Sequence, residues 1–356
     1  MKKWEENIRR VVPYVAGEQP EDRDVIKLNT NENPYPPSPG VIAKSREIDA
    51  GLFPLYPDTE AKVLVRELAD FHKLDFNQIF VGVGSDDVLS MSFLTFFNSD
   101  KPILFPDITY SFYPVWADLY RIPYETVPVN DDFEIIPEDY QRENGGIVIA
   151  NPNAPTSISL DVSEIEAIVK ENQDVIVIID EAYVDFGGTT ALPLISKYEN
   201  LLVVRTFSKS RSMAGMRIGY AMGNPRLIQA LKDVKESINS YTMNAVSILL
   251  GAESVKDDEY FKRHIEKVIA TRESTAKELK KLGFDVKNSC TNFFFASHKT
   301  VPAKYIFEKL REKKVYVRYF DKPRIDNYLR ITVGTDEQMQ QFLTVLSECL
   351  EGYEVK

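Results

Sequence analysis

The feature that most constrains this chain is a series of short, continuously apolar runs: Ile103–Phe105, Ile147–Ala150, Val175–Ile179, Leu201–Val204 and Ile218–Met222. A strand with one wet face alternates apolar and polar residues. These runs do not alternate, so both of their faces must be covered. Together with strand-like Ile79–Gly84 and Tyr124–Val129, and with helix-like stretches between several of them, they describe a mainly parallel α/β sheet. Ligands of such sheets lie beyond the carboxyl ends of the strands, which is where the chemistry-bearing residues should be sought.

The richest of these ends is Leu201 to Tyr220, LLVVRTFSKSRSMAGMRIGY, where an apolar strand runs into Arg205, Thr206, Ser208 and Lys209, with Arg217 eight residues later. An amine, hydroxyls and a guanidinium within reach of one anion suit imine chemistry beside a phosphate. A single lysine on a loop is ordinarily a solvated charge, so the weight must come from the other strand ends. Asp180 leaves the run Val-Ile-Val-Ile-Ile, followed by Glu181, Ala182 and Tyr183. A carboxylate in that position needs a partner to stay ionised, and a pyridinium nitrogen is one. The run Ile79–Gly84 leads into Ser85-Asp86-Asp87, a helix start reached through glycine. Free N–H groups there favour phosphate, although an ordinary N-cap explains Ser85-Asp86 equally well. Tyr110 has a ring that can lie on a planar cofactor, and Asn151 to Thr156 is a polar turn after Ala150. Ahead of the sheet, LNTNENPYPPSPG at 28–40 is dense in Asn and Pro and is expected to be an ordered loop; Tyr56-Pro57-Asp58 is a second rigid element before a helix over 61–74.

With 356 residues and 44% hydrophobic content, the chain can build a large domain and a smaller satellite. A net charge of −11 opposes a general affinity for nucleic acid or anionic membrane, while leaving room for a local basic pocket. Cys290 and Cys349 have neither metal-ligand spacing nor a disulfide pattern; no metal site is expected and a reducing cytoplasm fits best. No stretch has the apolar length of an export signal core or a membrane span. Residues 226–283 are expected to be helical, with strands at Asn292–Ala296, Val315–Phe320 and Tyr328–Val333 and helices over Ala303–Lys313 and from Asp336.

In this order, LNTNENP, YPD, GSDD, NPNAPT, DEAY, SKSRSMAGMR and YLRITVGT resemble the pyridoxal-phosphate (PLP) aminotransferases of fold type I over nearly the whole chain. The likeness is nearest to the branch that acts on histidinol phosphate. It implies three parts: residues 1–40 packing on the small domain and active site, a large PLP-binding domain at 41–283, and a small C-terminal domain at 284–356. Lys209 would carry the cofactor and move a proton, Asp180 would keep the pyridine nitrogen protonated, and Tyr183 would hydrogen-bond the phenolic oxygen. Ser85, Asp86, Ser208 and Arg217 would surround the cofactor phosphate, Asp86 through its backbone N–H, with Tyr110 stacked on the ring. Tyr56 would reach the phosphate in the neighbouring subunit of a homodimer. Arg318, Arg330 and Tyr14 would meet the anionic end of the substrate.

The implied reaction converts L-histidinol phosphate and 2-oxoglutarate to imidazole acetol phosphate and glutamate, in histidine biosynthesis. A threonine-phosphate decarboxylase or an aromatic amino-acid aminotransferase would share the fold. A PLP-binding transcriptional regulator would need a DNA-binding domain, for which the 27 residues before Leu28 leave no room. A non-catalytic binding module is disfavoured by a lysine, an aspartate and a tyrosine all at strand ends. Two departures stand out. Ala154 and Ser157 replace the usual asparagine and glycine of the NPNNPTG turn, so the asparagine's hydrogen bond to the phenolic oxygen must come from Asn151, from Asn153, or from nothing beside Tyr183. Pro36, where glycine is common, stiffens the N-terminal loop.

Overall fold

The computed structural model describes residues 2–22 and 24–353. Its first strand, β1 (Ile26–Lys27), belongs with the C-terminal part of the chain. β2 (Ile79–Gly82), β3 (Ile103–Pro106), β4 (Tyr124–Val127), β5 (Ile147–Ala150), β6 (Val177–Asp180), β7 (Leu201–Thr206) and β8 (Gly219–Gly223) form one sheet in the order β2-β8-β7-β6-β5-β3-β4. The expected mainly parallel sheet is present, with strand ends shifted by at most two residues. Successive side chains of a strand point to opposite faces. Ile147, Ile149, Ile179 and Val203 enter the core on one side, while Val148, Ile178, Leu202 and Val204 enter the core on the other. Two apolar cores on one sheet are the reason the runs are continuous. β4 lies at the edge and exposes Glu125 and Thr126.

β8 is antiparallel to both of its neighbours, β2 and β7. A parallel return needs a crossover, usually a helix, and residues 207–218 instead turn straight back. That reversal keeps Lys209 and Arg217 at the same sheet edge, which is also where β2, β3, β5 and β6 end.

The expected helical stretch 226–283 is three helices, Pro225–Ile238, Ala245–Lys256 and Asp258–Lys281. Asn239 leaves the first in an extended conformation, Asn244 caps the second and Asp257 caps the third. The third helix feeds Ile265, Val268 and Leu279 into a separate core with β9 (Phe284–Val286), β10 (Phe293–His298), β11 (Val315–Tyr316), β12 (Arg318–Tyr319) and β13 (Leu329–Thr332). Four of these strands make an antiparallel sheet ordered β12-β13-β10-β9. The single strand expected over Val315–Phe320 is thus two: β11 pairs with β1 from the N-terminal segment, and β12 pairs with β13. Buried Val317 separates them.

Two glycines set how closely the sheet approaches the helix Ser85–Phe96. Gly84 has φ 87°, and a Cβ there would sit 2.5 Å from the Arg217 guanidinium; a Cβ on Gly219 would sit 2.2 Å from the Ser85 nitrogen. Backbone cannot move aside as a flexible side chain can. Gly219→Ala is therefore expected to destabilise the protein by about 3 kcal/mol or more, read from the midpoint and slope of urea unfolding.

Candidate active site

A cleft of about 280 Å³ opens at the carboxyl edge of the large sheet, against the small sheet and the N-terminal segment. The residues expected to meet cofactor or substrate line it, except Tyr56 and the two alternative asparagines, Asn151 and Asn153. Tyr56 is 81% exposed and stacks on Tyr241, with ring centroids 4.5 Å apart.

Asp180 ends β6 with its side chain buried at the wall of the cleft. Oδ2 accepts a hydrogen bond from Tyr113 Oη at 3.0 Å, and Oδ1 accepts from the Ala182 N–H at 3.2 Å. Burial, only partly offset by these two donors, pushes the carboxyl up to about 7. No cation among the described residues pairs with it. Tyr113, on the helix Phe112–Tyr120, looks like an ordinary core aromatic in the sequence, and only its contact with Asp180 reveals the role.

Lys209 lies in the loop after β7. Its Nζ donates to the Thr30 carbonyl at 3.2 Å and lies 5.7 Å from the centre of the Tyr183 ring. Asn31 Nδ2 donates to Tyr183 Oη at 2.9 Å, and Asn33 Nδ2 donates to the Lys209 carbonyl at 3.0 Å. The expected ordered loop thus grips the lysine from above, a partnership across 176 residues that local pattern cannot show. From below, Ser210 Oγ donates to Asp185 at 2.6 Å, and a buried ion pair joins Arg205 of β7 to Glu181 at 2.8 Å. These bonds fix the backbone on both sides of Lys209.

At the other end of the cleft the helix Ser85–Phe96 begins without a side-chain cap, so its first-turn N–H groups face the cavity with the positive end of the helix dipole. The Asp86 carboxylate accepts from Tyr110 Oη at 2.8 Å and from Arg217 Nη2 at 3.2 Å. Ser208 Oγ lies 3.0 Å from Thr206 Oγ1. These donors fit a phosphate group, the Lys209 amine fits an aldehyde, and the cation-less carboxylate of Asp180 fits a protonated ring nitrogen. The residues present therefore suit PLP.

Ala154 lines the cleft and offers no side-chain hydrogen bond. Neither neighbouring asparagine can stand in for the missing one. Asn151 donates to the Leu160 and Thr189 carbonyls and accepts from the Leu160 N–H. Asn153 donates to the Ile108 carbonyl and Thr156 Oγ1 and accepts from Thr109 Oγ1. Both side chains are consumed in holding their own turn.

Arg318 and Arg330 face each other as a cross-strand pair between β12 and β13. Arg330 donates through Nη2 to the Asn29 carbonyl at 2.9 Å, while its buried Nε has no partner. Burial lowers its pKa. Arg318 donates to the Ala16 and Val15 carbonyls at 3.3 and 3.2 Å. No carboxylate among the described residues pairs with either guanidinium. Tyr14 stacks on Phe112 at 4.1 Å, closing the side of the cleft.

The raised pKa of Asp180 makes stability depend on pH. The folded chain holds a proton that an unfolded aspartate releases near pH 4, so this group's contribution to stability is present at low pH and is lost as pH rises towards about 7. Removing the titration with Asp180→Asn should flatten the stability profile of the cofactor-free protein between about pH 4 and 7, by on the order of 4 kcal/mol. Urea unfolding of both proteins across that range measures the difference; parallel profiles would contradict it.

Residues 23–346 match the family model for aminotransferase class I and II. The chain is 52% identical over 350 residues to a histidinol-phosphate aminotransferase of Lactococcus lactis subsp. lactis, covering 98% of this chain and 96% of the relative. It is 50% identical over 350 residues to one from Clostridium acetobutylicum, covering 98% and 99%. A crystal structure of histidinol-phosphate aminotransferase from Sinorhizobium meliloti in complex with pyridoxal-5'-phosphate superposes with a TM-score of 0.84 at 23% identity, covering 92% of each chain. With a family model spanning most of its length and relatives near half identity end to end, this chain belongs to the class I and II aminotransferases.

Proposed function

We propose that this protein transfers the amino group of L-histidinol phosphate to 2-oxoglutarate with PLP as cofactor, giving imidazole acetol phosphate and glutamate. The observation that carries the substrate reading is the Arg318–Arg330 pair: two guanidiniums, one with a buried nitrogen left unpaired, held by carbonyls and facing a cleft. A phosphate dianion supplies the charge and the acceptors that this pair lacks. The names of the relatives agree with this substrate.

Bound PLP would supply an electron sink that makes the hydrogen on the amine-bearing carbon acidic. Lys209 Nζ, held at the cleft by the Thr30 carbonyl, would take that proton and return it to the cofactor side. Asp180 would hold the proton of the ring nitrogen, and the cation beside it would offset the burial that raises its pKa in the free protein. The first-turn N–H groups of Ser85 and Asp86, with Ser208 and Arg217, would hold the cofactor phosphate, and the Tyr110 ring would cover the cofactor. Tyr14 and the two arginines would orient the substrate.

Charge-assisted hydrogen bonds contribute roughly 1.5–3 kcal/mol each, so Arg330→Ala should lower kcat/KM for histidinol phosphate by about one to two orders of magnitude. Histidinol without its phosphate should be affected much less, and the bound-PLP absorbance should be unchanged. An equal loss on both substrates with cofactor retained would overturn the phosphate assignment.

A homodimer in the cytoplasm is part of the same proposal. Tyr56 sits among exposed Phe53 and Leu55 and against Tyr241, an apolar surface suited to a second copy. Both cysteines are free, and no helix among the described residues is long and apolar enough to cross a membrane. If Tyr56 serves the neighbouring subunit, mixing Tyr56→Phe and Lys209→Ala chains, each inactive alone, should restore activity through one intact site per heterodimer. No recovery despite demonstrated subunit exchange would confine Tyr56 to its own chain.

A further inference from the structure

Asn31 is bonded more completely than any role described so far requires. It is 1% exposed and holds φ at 56°, a left-handed conformation that asparagine tolerates better than most residues. Its backbone N–H donates to Thr332 Oγ1 at 3.0 Å, and its carbonyl accepts from Asn292 Nδ2 at 3.0 Å. In its side chain, Oδ1 accepts from Thr332 Oγ1 at 3.1 Å and Nδ2 donates to Tyr183 Oη at 2.9 Å. This orientation of the amide gives the Thr332 hydroxyl hydrogen an acceptor; the reverse orientation would leave that hydrogen without one. The amide therefore presents N–H, not oxygen, to Tyr183.

The consequence falls on the phenol. Tyr183 Oη already accepts a hydrogen from Asn31, so its own hydrogen is left to point elsewhere, and Tyr183 lines the cleft. Ala154, also lining the cleft, contributes no donor, and Asn151 and Asn153 are spent in their turn. We propose that Asn31 is a positioning residue that makes Tyr183 an obligate hydrogen-bond donor to the anionic oxygen of the ring cofactor, supplying from the N-terminal loop the control that the turn at Ala154 cannot. This rests on the reading of the cleft as a PLP site at Lys209. A donor on that oxygen withdraws negative charge from beside the Lys209 nitrogen and so lowers the proton affinity of that nitrogen in the loaded enzyme. The other charged or titratable groups lining the cavity are Asp180 at the end of β6, Asp86 and Tyr110 at the phosphate end, Arg217, Glu32, Tyr14, Arg318 and Arg330, all unchanged in the variants below.

The test is a spectrophotometric pH titration of the cofactor-loaded protein, following its visible absorbance. Asn31→Asp keeps the shape but accepts the Tyr183 hydrogen instead of donating one, and should raise the titration midpoint by about one pH unit, as should Tyr183→Phe. The double variant should rise no further than Tyr183→Phe alone, because both changes remove the same donor. A carboxylate acting only through its charge would instead add its effect to that of Tyr183→Phe, and this would overturn the proposal. Should Asn31→Asp fail to fold, Asn31→Gly keeps φ at 56° comfortable and removes the amide. It should raise the midpoint by a smaller amount and lower kcat about tenfold with little change in KM. An unmoved midpoint in a folded, loaded Asn31 variant would overturn this inference alone. A wild-type protein with no pH-dependent visible band, or one in which borohydride fixes no cofactor on Lys209, would overturn the PLP reading and this inference with it.

Discussion

A carboxylate sealed at the end of an apolar strand is the constraint from which the rest of the cleft follows. Asp180 ends a strand in which every residue is buried, and an ionised carboxylate there loses hydration that two neutral donors cannot fully replace. Left alone, the group resolves the conflict by holding its proton, which is why its pKa rises. A cation placed against it resolves the conflict the other way. The cleft can therefore be viewed as half of a buried ion pair, with Tyr113 and Ala182 orienting the carboxylate so that the missing half arrives in a fixed place.

The second organising element is the loop at 28–33, which belongs to neither sheet and fastens both. Leu28 joins the core around the four-stranded sheet, and its carbonyl accepts from the Thr332 N–H at 2.9 Å. Two residues later the same loop supplies the Thr30 carbonyl to Lys209, and Asn33 holds the lysine's own backbone. A left-handed residue other than glycine costs on the order of 1 kcal/mol or more, and Asn31 occupies that conformation within four hydrogen bonds that outweigh it. One consequence is that the position of the Lys209 amine depends on contacts made from a loop fastened to the four-stranded sheet, not only on the sheet that carries it.

How much of this was legible in the sequence depended on whether the signal was local. Apolar runs such as Ile147–Ala150 and Leu201–Val204 were legible because burial on both faces leaves no alternation, and the glycine before Ser85 marked the entry to a helix start; the close approach at Gly219 was not, since it depends on a neighbour distant in the chain. The direction of β8 was not, since an apolar pattern carries no polarity and only the short return from β7 decides it. The split of Val315–Phe320 was hidden for a related reason: a strand looks the same whichever partner it pairs with, and here β1 takes one half. Tyr113 was indistinguishable from core packing. Asn151 and Asn153 looked available because a sequence does not show which hydrogen bonds are already made.

The electrostatics of the cleft run against those of the whole chain. A net charge of −11 would repel a doubly charged phosphate at long range, yet Arg318 and Arg330 face each other across two strands with carbonyl oxygens as hydrogen-bond partners, the Phe320 ring near both, and no pairing carboxylate among the described residues. That choice of partner matters. A guanidinium neutralised by a carboxylate must lose an ion pair before it can bind another anion, so the gain is small. One held by a neutral carbonyl keeps its charge uncompensated, and burial makes that state costly until an anion arrives. The same bonds from Arg318 tie Val15 and Ala16 over the cleft, next to the Tyr14–Phe112 stack. Arg318 is thus shared between the cleft and the segment that covers it, joined to that segment by two carbonyl bonds that leave its charge in place.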